Sequence, residues 1–61
     1  MNKMEALKQR LNEYIENINQ LGADSVVEDN YDILRTKLES IITWCNMAIV
    51  LLNRLDKGGN K

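Results

Sequence analysis

Hydrophobic residues recur at helical spacing in two segments of this chain, with a short polar segment between them. In the first segment the interval between apolar positions alternates between three and four residues, at Met4, Leu7, Leu11, Tyr14, Ile18 and Leu21. This alternation is typical of a helix that presents one narrow seam to another helix. Asn2 is suited to cap such a helix, and Gly22 stands just past its last seam residue, where helices commonly end. The pattern predicts a first helix over residues 3–21.

The second segment continues the same alternation over a longer distance, at Val27, Tyr31, Leu34, Leu38, Ile41, Cys45, Ala48, Leu52 and Leu55. Ser25 and Glu28 have the spacing of a capping box, so we expect a turn at residues 22–24, a second helix over 25–57 and a tail over 58–61. The weak helix formers after Ser25 leave the start of this helix open between Ser25 and Tyr31. A connection this short predicts an antiparallel, coiled-coil-like helical hairpin, so the fold class is all-α and residues 1–61 form one domain.

The two predicted helices differ in length, at about 30 Å and up to about 48 Å. Folded back at Gly22, the first helix would cover the second only to about Thr43. The uncovered part is the most apolar third of the chain, and an exposed patch of this kind marks an interface. We therefore predict a homodimeric four-helix bundle whose oligomer or partner interface comprises Ile41, Trp44, Cys45, Met47, Ala48, Leu51, Leu52 and Leu55.

The composition excludes two common ways of stabilising a small domain. The chain has 61 residues, one cysteine and no histidine, whereas a disulfide needs two cysteines and a zinc site needs several Cys or His ligands. A domain of this size buries only about 60% of its unfolded surface, so its stability margin is thin. Association is the remaining means of stabilisation, and we expect no metal and no cofactor.

The charge and the apolar runs limit the partners and the compartment. A net charge of −1 and scattered Lys and Arg residues make nucleic acid an unlikely partner. The N-terminus has no signal-peptide core, and the longest uninterrupted apolar run, Met47 to Leu52, is far shorter than the roughly 18–20 residues of a membrane span. A single unpaired cysteine fits a reducing compartment. We therefore predict a cytoplasmic protein without a membrane span.

Few residues are candidates for chemistry. Cys45 lies on the predicted seam and no histidine exists to activate it, which favours a small core hydrophobe over a reactive thiol. The acidic side chains between Asp24 and Asp32 lack the spacing of a calcium loop and are typical of the first turns of a helix. Neither a catalytic triad nor a phosphate-binding loop can be assembled. The chain is predicted to be non-enzymatic, without catalytic or cofactor-binding residues.

The functional hypothesis follows from the predicted interface, since no residues for catalysis or cofactor binding are predicted. We expect a small protein-interaction module that binds itself and another protein through the helical bundle, as a regulator, inhibitor or adaptor. One alternative is a hairpin dimer that binds RNA or DNA, with basic residues brought together across the dimer. A second alternative is a structural or scaffold building block, which would form species larger than a dimer.

Overall fold

The protein is a hairpin of two antiparallel α-helices, seen in a computed structural model that describes residues 2–59. Helix α1 spans Lys3–Val26, residues 27–30 form the loop, and helix α2 spans Tyr31–Gly59. The two helices pack along their length into a rod of 47 × 18 × 11 Å. The predicted all-helical hairpin is therefore confirmed.

The capping of α1 agrees with the sequence analysis. The Asn2 side-chain oxygen accepts a hydrogen bond from the backbone N–H of Glu5 at 2.8 Å, and this satisfies one of the free donors of the first turn. All six predicted seam positions of α1, from Met4 to Leu21, are half-buried, whereas most positions between them are exposed.

The predicted end of α1 and the predicted turn at residues 22–24 are wrong. Helix α1 does not stop at Gly22 but continues to Val26, because Gly22 keeps a helical backbone and the Ser25 hydroxyl donates to the Leu21 carbonyl at 2.7 Å. Ser25 is thus a residue of α1 and not the cap of α2. Helix α2 begins at Tyr31, the latest start that the sequence allows, and runs through Gly59, two residues beyond the predicted end.

Asn30 is the residue that caps α2. Its side-chain oxygen accepts hydrogen bonds from the backbone N–H groups of Asp32 and Ile33, at 2.9 and 3.1 Å. One side chain therefore satisfies two of the four free donors of the helix start. This cap fixes the loop at residues 27–30 and makes the two helices more equal in length than the sequence predicted, at 24 and 29 residues.

The near-equal lengths change which residues of α2 lie against α1. The Tyr14 and Trp44 rings pack across the hairpin with centroids 5.4 Å apart and planes tilted by 53°. Leu51 is only 4% exposed and is the buried hydrophobic residue of the described chain. The expectation that α1 would cover α2 only to about Thr43 is therefore wrong, since the buried Leu51 lies eight residues, about two turns, further along α2.

The face of α2 that lies against α1 also differs from the predicted seam. It is half-buried or buried at heptad steps, and we call it the inner stripe: Leu34, Lys37, Ile41, Trp44, Ala48, Leu51 and Leu55. The predicted seam and the inner stripe share Leu34, Ile41, Ala48 and Leu55. At the positions between these, the prediction placed Leu38, Cys45 and Leu52, whereas the structure has Lys37, Trp44 and Leu51. Leu38 and Leu52 are about half exposed, at 48% and 51%. Compared with the predicted orientation, α2 is thus rotated about its own axis by roughly half the 100° step between successive residues.

Candidate functional site

The main unpartnered surface of the hairpin is a second apolar stripe on α2. It runs beside the inner stripe with the same alternation of four and three residues, and we call it the open stripe: Leu38, Ile42, Cys45, Ile49 and Leu52. Four of its members are between 48% and 59% exposed, and Cys45 is half-buried. A continuous apolar stripe with heptad spacing is the surface that one helix offers to another.

Helix α1 borders the open stripe on one side. Because the helices are antiparallel and Tyr14 packs on Trp44, the next residue of each helix, Ile15 and Cys45, lies toward the same edge of the hairpin. Ile15 is 49% exposed. The apolar surface at this edge therefore extends from α2 onto α1.

The eight residues predicted as an interface are distributed over three surfaces. Most belong to the inner stripe and pack within the chain, where Leu51 is buried and Trp44 contacts Tyr14. Cys45 and Leu52 lie on the open stripe, and Met47, which is 40% exposed, lies on the opposite edge of the hairpin. The remaining inner-stripe members of that set are Ile41, Ala48 and Leu55, all half-buried.

Two residues of the open stripe, Ile42 and Ile49, were not among the predicted interface positions. Their exposure, at 59% and 54%, is the highest in the stripe. The sequence contains a signal for them, since they complete an unbroken heptad run with Leu38 and Leu52. That signal was hidden because the same helix carries a second, overlapping run.

A shallow groove lies on the opposite edge of the hairpin. It encloses about 220 Å³ between the two helices and is lined by Arg10, Tyr14, Met47, Val50, Leu51 and Arg54. Neither arginine forms an ion pair with a carboxylate of residues 2–57. The groove thus has an apolar floor and two guanidinium groups at its rim, a combination that suits a ligand with both apolar and acidic groups.

The loop is held by one acidic side chain. One carboxylate oxygen of Glu28 accepts from the Lys37 ammonium at 2.8 Å, and the other accepts from the Asn30 backbone N–H at 3.0 Å. The Lys37 hydrogen bond, followed by that from Asn30, holds the pKa of Glu28 below its ordinary value of 4.5, although burial acts in the opposite direction. This contact also explains how a lysine occupies the inner stripe, since its charge has a partner in the loop.

Within residues 2–57 the acidic and cysteine side chains form no group of three that could hold a metal ion. Comparisons with protein-family models, with curated proteins and with solved structures each found no match.

By length and composition alone, helix α2 is long and apolar enough to cross a membrane. The segment Tyr31–Lys57 reaches a mean hydropathy of 1.2 in its most apolar 18-residue window, and 6% of that window is buried inside the hairpin. Core helices of globular proteins pass the same test, so a single such helix is weak evidence for a membrane span. Within this window Leu51 is buried, and the other inner-stripe positions are half-buried.

Proposed function

We propose that this protein is a non-enzymatic, cytoplasmic interaction module whose chains associate through the open stripe into a homodimeric four-helix bundle. In this proposal the dimer binds another protein and acts as a regulator, inhibitor or adaptor. The observation that carries the proposal is the open stripe itself, a continuous heptad run of apolar side chains, four of them about half-exposed, on a helix whose inner stripe already packs against α1.

The size of the surface supports association. Full burial of a Leu or Ile side chain stabilises by about 1.5–3 kcal/mol, so covering the exposed halves of eight such side chains in two copies contributes about 6–12 kcal/mol. The loss of translational and rotational freedom on association costs about 4–15 kcal/mol. Because the two ranges overlap, we expect a dimer that dissociates on dilution.

The opposite edge supports a role in binding a second protein. A dimer formed through the open stripe leaves the groove between Arg10 and Arg54 uncovered, since the groove lies on the other side of the inner stripe. Unpaired guanidinium groups over an apolar floor favour a protein segment that carries acidic and apolar side chains.

The proposal is tested by sedimentation velocity over a range of concentrations, with Leu52→Lys as the disrupting variant. Asn53→Lys is the matched control, because it adds the same charge at the neighbouring exposed position outside the open stripe. We expect the wild type and the control to dimerise, and Leu52→Lys to remain a helical monomer by circular dichroism. A wild type that stays monomeric at every concentration, or that partitions into phosphatidylcholine vesicles instead of dimerising, would overturn the proposal.

A second candidate function is nucleic-acid binding, and one observation favours it. The open end of the hairpin gathers the N-terminal part of α1 and the C-terminal part of α2, which bring Lys3, Arg10, Arg54 and Lys57 to one end of the rod. Contacts of this kind with phosphates weaken steeply with salt. A gel shift of RNA or DNA that disappears with added salt and with Arg10→Glu would support this function over protein binding.

A further inference from the structure

The open stripe has a symmetry that specifies its occupant. Leu38 lies seven residues before Cys45, and Leu52 lies seven residues after it. Ile42 lies three residues before Cys45, and Ile49 lies four residues after it. An antiparallel copy of the stripe, turned about an axis beside Cys45, therefore places aliphatic side chains on aliphatic side chains on both sides of the central Cys45 pair.

The heptad run also ends in opposite charges. The next position before Leu38 is Arg35, ten residues from Cys45, and the next position after Leu52 is Asp56, eleven residues from Cys45. Both side chains are exposed. We propose that the open stripe binds a second copy of this chain in antiparallel orientation, with the two-fold axis beside Cys45 and with Arg35 of each copy against Asp56 of the other.

The charges discriminate between the two possible orientations. In a parallel dimer of the same stripe, Arg35 would face Arg35 and Asp56 would face Asp56, and like charges at such positions are destabilising. In the antiparallel dimer each of these side chains meets the opposite charge. The charge pattern therefore selects the antiparallel arrangement, while the apolar positions alone would allow both.

Arg35 is available for this second contact. Its guanidinium pairs with Asp32 at 3.5 Å within α2, but the two side chains are 71% and 93% exposed. An exposed pair of this length is weak. Because a guanidinium carries five N–H donors, Arg35 can bind a second carboxylate without giving up the first.

The charges of the whole rod point to the same orientation. The loop end carries Asp24, Glu28, Asp29 and Asp32, whereas the open end carries the basic side chains of both helix termini. An antiparallel contact centred on Cys45 brings the acidic end of each copy beside the basic end of the other. A parallel contact would bring the two acidic ends together and the two basic ends together.

This inference rests on the proposed self-association, and a charge-reversal cycle tests the orientation separately. Arg35→Asp and Asp56→Arg are measured alone and together by sedimentation equilibrium, with Glu39→Arg as a control for the same change of charge at an exposed position outside both stripes. Two surface ion pairs contribute about 0.4–2 kcal/mol to a dimer, so each single variant should weaken dimerisation by roughly twofold to thirtyfold. The double variant should recover the wild-type affinity, and the control should not change it.

A cross-linking experiment gives a second reading of the orientation that does not depend on the strength of the ion pairs. Two variants are mixed, each with Cys45→Ala, one with Leu38→Cys and the other with Leu52→Cys, and a bismaleimide is added. We expect cross-links between the two variants. Cross-links within each variant alone, or a double charge variant that stays as weak as the singles, would overturn the antiparallel dimer while leaving self-association intact. A wild type without any dimer would instead refute the proposed function itself.

Discussion

Leu51 and Leu52 are neighbours of the same residue type on opposite stripes of α2, which makes them a matched pair for a stability experiment. Leu51 is 4% exposed and packs against α1 within the chain, whereas Leu52 is 51% exposed on the open stripe. We predict that Leu51→Ala destabilises the hairpin much more than Leu52→Ala in dilute solution. The two substitutions remove the same atoms from the same helix, so intrinsic helix propensity does not contribute to the difference.

The expected magnitudes follow from these exposures. Replacing a buried leucine by alanine costs about 2–5 kcal/mol. A chain of this length has a total stability of about 3–9 kcal/mol, from roughly 0.05–0.15 kcal/mol per residue. Leu51→Ala should therefore remove about a fifth of the stability or more. Leu52→Ala removes three carbons that are half buried, which costs about 1 kcal/mol at 0.8 kcal/mol per fully buried CH₂.

The assay is urea unfolding of both variants and the wild type, followed by circular dichroism at a low and a high protein concentration. The cost of Leu51→Ala should be the same at both concentrations. The cost of Leu52→Ala should rise at the high concentration, because there it also weakens the dimer. Equal costs for the two variants at the low concentration would refute the assignment of the inner stripe.

Three further predictions concern the loop and α1. Because the pKa of Glu28 is lowered in the folded chain, its contribution to stability is complete above pH 4.5 and is lost as the pH falls through the lower folded-state value. Glu28→Gln should therefore reduce the fall of the unfolding free energy at acidic pH. An unchanged fall would contradict the contact with Lys37. Asn30→Ala should cost about 0.5–2 kcal/mol in urea unfolding through loss of the α2 cap, whereas Asn30→Asp should keep most of it. Gly22→Ala should raise the midpoint of thermal unfolding and stabilise by up to about 1 kcal/mol, since Gly22 lies inside a helix and the added methyl group meets no atom within 4 Å beyond its chain neighbours and the local helix backbone. A lower midpoint would instead favour a helix end at Gly22.

The sequence predicted the number of helices, their antiparallel arrangement and the half-buried positions of α1 from Met4 to Leu21. These features depend on the periodicity of the apolar residues. Helix α1 carries only one heptad run, so the sequence determines which of its faces is buried. The Asn2 cap was also predictable, because capping depends on a local hydrogen bond.

The loop was not predictable by the same means because two local signals competed for it. Gly22 and Ser25 match a helix end followed by a capping box, whereas Glu28 and Asn30 supply a different set of contacts five to six residues later. The second set prevails in the structure since Asn30 accepts two backbone donors and Glu28 joins both Asn30 and Lys37. The Lys37 contact connects residues nine positions apart and has no signature in the local sequence.

The position of the loop then determines which residues form the candidate site. Helix α2 carries two heptad runs that share its apolar side, and either could face α1 by periodicity alone. Ending α1 at Val26 lengthens it, brings Tyr14 against Trp44 and buries Leu51, and the other run becomes the open stripe. The five-residue error in the end of α1 thus exchanged interior and surface at about half of the predicted seam positions of α2.

The same two runs limit how far the proposed assembly can grow. Helix α1 carries polar residues such as Asn12, Glu16 and Asn19 on the side away from α2, and all three are exposed. The outer face of α1 therefore offers no apolar surface to a further chain, whereas the open stripe of α2 does. In a two-fold contact each copy uses its open stripe against that of the other, so the surface is consumed and no stripe is left for a third chain. This is why we expect the concentration series to end at a dimer with both α2 helices in the middle, and why species larger than a dimer would point to a scaffold that uses a different surface.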